Sequence, residues 1–224
     1  MDLEVKRKIL HASAAVLAVP FLLLFDLLIG VAVALFGLLV ITLVWYLEDR
    51  GEELEGPAGE GQRAIARTMD ETMRPDETFP WAPFYFVGGL VTVAVLSHWL
   101  GVPLSVAFAA YAILGIGDAA SALIGKAYGS VPIPWNPDKS LEGTGAGLGA
   151  AYPWALMLAN VYHLPFDRPS LAGHVEIPLH LIWIVLVGTV VGMLVETLPG
   201  EDNLTVPLVS WAAMAGLAHL VGLA

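Results

Sequence analysis

The sequence predicts an all-α fold, a polytopic transmembrane helix bundle of about seven spans with its N-terminus in the cytoplasm. Three observations predict it. Of the 224 residues, 57% are hydrophobic and only 14% charged, with a mean hydropathy of +0.74. A soluble domain carries about 25% charged residues, and a chain this apolar cannot hide its side chains in one water-soluble core. The apolar residues fall into seven stretches near the ~17–25 residues that a helix needs to cross a bilayer. The lysines and arginines gather in segments that this count places on one side, as the positive-inside rule requires.

The first span, Ile9–Phe25, follows the basic head "KRK". Basic head and apolar body resemble a secretory signal, but a second span, Leu27–Leu47, follows at once, so the N-terminus is expected to stay uncleaved. Next come Trp81–Leu100 and Val102–Gly117, the latter able to continue through Asp118 towards Gly125. Gly143–Tyr162, Ile177–Val195 and Val206–Leu223 complete the set. With a cytoplasmic N-terminus, the inner segments hold Lys6, Arg7, Lys8, Arg50, Arg63, Arg67, Arg74, Lys126 and Lys139, and the outer ones only Arg168.

The chain is one integral-membrane domain, 1–224, without a tandem repeat. Its long cytoplasmic loop is 48–80, where "RAIARTMDETMR" suits a short amphipathic helix on the membrane surface and the glycine- and glutamate-rich first half is expected to be flexible. The net charge is −11, but the acids sit mainly between Glu48 and Glu77, which argues against nucleic acid as a partner. With no cysteine, disulfide scaffolds, thiolate metal sites and cysteine nucleophiles are excluded. No Walker pattern, dinucleotide fingerprint, HExxH or GxSxG is present.

Polar chemistry concentrates in 118–143 and 196–205, both on the cytoplasmic side. An ionised carboxylate at membrane depth costs at least ~2.5 kcal/mol unless paired, hydrated or bound to a cation. Asp118 shares one helix face with Ser121 and Gly125. Gly143, Gly147 and Ala151 recur by fours in one span, and Gly188, Gly192 and Glu196 in another. Such spacing serves plain helix packing. Each small face, however, leads to a carboxylate: Asp118, Glu142 and Glu196, with Asp202 just beyond. These acids have no matching cations beside them in the sequence, so their convergence calls for a divalent ion, magnesium bound by carboxylates and phosphate oxygens being the usual arrangement. Lys139 and Ser140 suit phosphate as a point charge and a donor. Gly143 and Thr144 offer free backbone N–H groups at a helix start, which favours anions.

"GDAASALIGKAYGSVPIPWNPDKSLEG" resembles the D-x-x-A-x-x-x-G-x-x-x-G … K-[ST]-x-E-G signature of the CTP-dependent lipid kinases, the group of dolichol, phytol and CTP-dependent diacylglycerol kinases. "EVKRKILH" looks like the opening motif of that family, and "VETLPGEDNLTVPL" like its close, so the resemblance runs end to end. It implies transfer of the γ-phosphate of CTP to the hydroxyl of a polyprenol, dolichol, geranylgeraniol or phytol type of alcohol, or of diacylglycerol, with Mg2+ or another divalent cation. Asp118, Lys139, Glu142, Glu196 and Asp202 are then the expected catalytic residues, with Asp118, Asp202 and Glu196 near the metal. The nucleotide would meet Lys139, Ser140, Gly143, Thr144, Asn203, Gly125 and Gly129, and Glu142 or Glu196 would accept the alcohol proton. Arg7, Lys8 and His11 would lie near the cytoplasmic interface.

Phosphatidate cytidylyltransferases share the central motif, but their C-terminal S-x-x-K-R and H-G-G-x-x-D-R elements are absent, and "EDNLTVP" stands instead. A transporter or scaffold would leave the carboxylates at the cytoplasmic helix ends unexplained, because transporter sites lie near the midplane between repeats. Besides the lipid alcohol and membrane lipids, a second copy of the chain is an expected partner, since unused small-residue faces suit a homodimer.

Overall fold

In a computed structural model, residues 5–10, 12–13, 27–73, 77–161 and 179–222 are described. Residues 5–10 are helical. The helices that follow are α1 (Leu27–Arg50), α2 (Gly56–Asp70), α3 (Trp81–Leu100) and α4 (Leu104–Ala112), which continues through a π-turn (Ile113–Gly117) into α5 (Asp118–Tyr128). A two-stranded hairpin, β1 (Pro132–Ile133) and β2 (Asn136–Ser140), leads to α6 (Leu141–Val161), α7 (Leu179–Glu196) and α8 (Asp202–Leu220).

Among the described residues, five helical stretches are long and apolar enough to cross a membrane: Leu28–Arg50, Trp81–Leu100, Leu104–Tyr128, Leu179–Glu196 and Asp202–Leu220. The all-α bundle stands, but the described residues hold about five spans against the seven expected. Most of the expected first span, Ile9–Phe25, lies outside the described residues. The expected fifth span is helical as α6, yet Gly143, Gly145, Gly147 and Gly149 dilute its apolar character and it falls outside the set.

The bundle is organised around Leu104–Tyr128. Val106 to Leu114 are buried without a break, and α3, α6, α7 and α8 all pack on this helix. The residues explain the close approach: alanines at 107, 109, 110 and 112 leave little side chain between backbones. Larger groups are fixed by polar bonds, Tyr111 Oη donating to the Phe86 carbonyl at 2.5 Å and Trp211 Nε1 to Ser97 Oγ at 2.7 Å. Such partners are required where no water can reach a buried donor.

The small-residue spacings act as crossing points. A methyl on Gly147 would come within 2.5 Å of Met193 Cε and 2.8 Å of the Gly117 carbonyl oxygen, and one on Gly143 within 2.7 Å of the Ser121 carbonyl oxygen. The helix α6 therefore lies backbone to backbone on α5. Gly192 makes room for side chains from two neighbours of α7: an added methyl would meet Ile113 Cγ2 at 2.8 Å and also Ser210 Oγ.

One segment differs from the sequence reading, and a second adds strands to a bundle expected to be all helical. The helix α2 starts at Gly56, inside the half of the loop expected to be flexible, because Gln62 ties it down: its amide donates to the Glu52 carbonyl at 2.8 Å and Glu48 Oε1 at 2.9 Å, and its oxygen accepts from the Leu54 N–H. The proline-rich stretch before Lys139 is a hairpin, with Ile133 buried. Its tip is bound to the end of α7, Trp135 Nε1 donating to Thr197 Oγ1 at 2.9 Å and Asn136 Nδ2 to the Thr197 carbonyl at 3.1 Å.

Candidate functional site

One end of the bundle carries a polar cavity of about 440 Å³, within the ~300–1,000 Å³ range of small-molecule sites. The segment 5–10, α5, the β2 strand, the start of α6 and the turn joining α7 to α8 form its wall.

Each element delivers its side chain for a local reason. The π-turn sets the start of α5, so Asp118 stands on the first turn with its carboxyl almost wholly enclosed. A π-turn within a helix is often found at functional sites. Glu196 ends α7 on the face of Gly188 and Gly192, where it is buried. Asp202 opens α8, four residues before the expected start of that span, and the first turn of a helix favours a carboxylate. Lys139 is carried in by β2, the strand held on Thr197 by the hairpin tip.

The acids meet. One carboxylate oxygen each from Asp118, Glu196 and Asp202 lie within 4.8 Å of one another. The sequence suggests acids without matching cations, but the fold brings two lysines from afar. Lys8 Nζ donates to both oxygens of Asp118, and Lys139 Nζ donates to Glu196 Oε1 at 2.8 Å, to Asp202 Oδ2 at 3.0 Å and to the Glu196 carbonyl oxygen. Burial opposes the Lys139 charge, but Glu196 and then Asp202 outweigh it, and its pKa is raised. Among the described residues, the second carboxylate oxygen of Glu196 is buried with no hydrogen-bond partner, as are Ser121 Oγ and Thr144 Oγ1. A buried carboxylate oxygen without a donor is costly, and an oxygen set of this kind is what a hard divalent cation takes. The residues therefore fit such an ion.

Of the residues singled out in the sequence, Lys8, Asp118, Gly125, Lys139, Ser140, Gly143, Thr144, Glu196 and Asp202 line the cavity. Ser140 Oγ accepts from the Gly143 N–H at 3.1 Å and caps the start of α6. Gly129 lies outside the lining but against Ser140, whose Oγ an added methyl would meet at 2.6 Å. Glu142 also lies outside the lining: it accepts from the Ser130 hydroxyl and from the Ser130 and Val131 N–H groups, each at 3.2 Å. These bonds, the Ser130 hydroxyl first, lower its pKa to about 2, which ties the hairpin to α6 and makes a poor proton acceptor. Asn203 is buried outside the lining, Arg7 lines a second, more apolar cavity beneath α2, and His11 lies outside the described residues.

Lys126 and Asp138 are lining residues absent from the expected set, and Asn136, a candidate base contact from the sequence, also lines the cavity. Asp138 shares β2 with Lys139 and becomes visible only once the hairpin is recognised. Lys126, two turns beyond Asp118, follows from extending the helix past Gly125.

Comparison with known proteins bears on this site. A Glycine max protein named probable phytol kinase 1, chloroplastic, is 30% identical over 135 residues, 58% of this chain and 41% of the relative. The chloroplastic farnesol kinase of Arabidopsis thaliana is 31% identical over 138 residues, 60% of this chain and 41% of the relative. Dolichol kinase EVAN of Arabidopsis thaliana is 28% identical over 213 residues, 93% of this chain and 34% of the relative. The chain thus spans between 34% and 41% of the length of these relatives. No protein-family model matches it, and no solved structure does. The homologues are plant phytol, farnesol and dolichol kinases, at modest identity.

Proposed function

We propose that this chain is a membrane-embedded lipid kinase that transfers the γ-phosphate of CTP to the hydroxyl of an isoprenoid alcohol at the cytoplasmic membrane surface of a prokaryote. One observation carries it: two buried carboxylates and a half-buried third, one of them with an unpartnered oxygen, share a cavity with Lys139 and Ser140, which suit a polyphosphate. The similarity to kinases of phytol, farnesol and dolichol supports the acceptor class. Choice of CTP rests on the motif resemblance, and the cytoplasmic side on the distribution of basic residues.

Asp118 and Asp202 would hold a divalent cation, which when bound neutralises charge on the transferring phosphoryl group. Lys139 and the Ser140 hydroxyl would orient the phosphates; of the N–H groups at the start of α6, that of Gly143 is already engaged on Ser140 Oγ and that of Leu141 on the Val131 carbonyl. With Glu142 engaged on Ser130, Glu196 would accept the alcohol proton, and its unpartnered oxygen would serve either that proton or the cation, not both at once. Positioning and charge neutralisation are the main demands of phosphoryl transfer, and this arrangement addresses both.

The test is a paired label-transfer assay on detergent-purified protein with magnesium and single lipid alcohols, including phytol, a polyprenol and diacylglycerol. Label entering lipid from γ-labelled CTP and not from α-labelled CTP is expected. Entry from the α position would make the protein a cytidylyltransferase and overturn the kinase reading.

A further inference from the structure

We propose that Lys8 is a second phosphate-contacting lysine, which Asp118 holds in reserve until a divalent cation takes over its carboxylate. The inference rests on the phosphoryl-transfer reading of the cavity and deepens it.

Lys8 bonds both oxygens of Asp118, and Asp118 belongs to the three-carboxylate cluster. One carboxylate cannot satisfy the lysine at both oxygens and a cation at full strength, so the two compete. The displaced ammonium stays in the same cavity, which Lys139, Ser140 and Gly143 also line. Glu196 and Asp202, the other carboxylates of the cluster, are held by Lys139 and would face the same cation, so phosphate oxygens are the partners best placed to replace Asp118. The charge balance favours that outcome. Among lining residues, Asp118, Asp138, Glu196 and Asp202 outnumber Lys8, Lys126 and Lys139 by one, so the cavity is net negative and repels a polyphosphate. A divalent cation reverses that sign. Cation and nucleotide would therefore bind cooperatively, with Lys8 exchanging one anionic partner for the other, and residues 5–10, which carry it, would change partners with it.

The experiment uses the full chain in detergent and two equilibrium titrations, neither of which reads catalysis. Mn2+ is titrated without nucleotide by electron paramagnetic resonance, and CTP is then titrated at saturating Mn2+. Lys8→Ala is expected to bind Mn2+ about tenfold more tightly than wild type, because a competitor that occupies the site most of the time has gone. The same variant is expected to bind CTP about tenfold more weakly, having lost one charge-assisted contact. Lys8→Arg should hold CTP within about twofold. If Lys8→Ala binds Mn2+ no more tightly, or CTP as well as wild type does, the proposal is overturned. Lys8→Met, which keeps the apolar stem, repeats both titrations should the alanine variant not purify as a single species. Wild-type Mn2+ affinity in Asp118→Asn would instead refute the metal site itself, and label from the α position would refute the kinase reading while leaving both shifts in place.

Discussion

Two helices that both qualify as membrane spans are built on opposite terms. In α1, 11% of the apolar window is buried, and Leu28, Phe36 and Leu39 are largely exposed. In the Leu104–Tyr128 helix the figure is 72%, and its middle is alanine-rich. Lipid tails accept any bulky apolar side chain, so α1 is rich in leucine and valine and its sequence constrains little. A helix surrounded by four others must let backbones approach, so its side chains shrink, and it alone of the two can carry a carboxylate into the site. Hydropathy identifies both as spans, but side-chain size tells which one faces protein.

Substitutions can break this contrast at several points. Asp118→Asn should have the largest effect, lowering phosphoryl transfer by more than about a thousandfold in single-turnover assays, because the transition-state charge it helps to balance is left exposed. Thermal unfolding of the same variant should change little by comparison. Lys139→Ala should lower transfer by about a hundredfold, the order seen when one preorganised charged contact is lost. Gly147→Val should act through structure, with overpacking of the α5–α6 crossing costing about 1–3 kcal/mol in a reversible unfolding assay and activity falling with it. On α1, Phe36→Ala and Leu39→Ala should each change stability by less than about 0.5 kcal/mol. A larger loss there would mean that another chain, such as the expected second copy, covers this face.

The smallest expected effect concerns pH. The pKa of Glu142 is lowered to about 2 from an ordinary 4.5. Its contribution is therefore complete above the ordinary value and lost only as pH falls towards 2. The hairpin tie to α6 should persist at pH 4, and Glu142→Gln should unfold at nearly the same temperature as wild type below pH 2. Comparing melting temperatures of the pair at about pH 7 and about pH 1.5 checks this. For Lys139 the sign is opposite: its pairing is complete below the ordinary lysine value and lost only as pH rises through its raised pKa. No alkaline loss of activity from this group is expected below about pH 10.

What could be read from the residues was what repeats locally. Asp118 with Ser121 and Gly125, Gly143 with Gly147, and Gly192 with Glu196 all occupy helix faces set by spacing, and the fold uses those faces as crossings and cavity wall. The pairing of Lys8 with Asp118 spans 110 positions and leaves no periodic trace. Glu142 sits within the central motif, yet its side chain answers to Ser130, twelve positions back, a partner made available only by the hairpin. The hairpin itself is masked by its prolines, which resemble loop punctuation. One expected span, α6, was counted by length, whereas its glycines suit a protein neighbour better than lipid.

The π-turn at Ile113–Gly117 has a consequence for how this chain tolerates changes in length. A π-turn holds about one residue more per turn than the α-helix on either side. Deleting one residue within it would let that turn relax to α geometry, and Asp118 would keep its bearing relative to Tyr111. The same deletion in α4 would rotate everything after it by about 100°, swinging Asp118 out of the cavity. The turn is thus an expansion joint, the one stretch of the central helix where a codon can be lost without turning the carboxylate away from its partners.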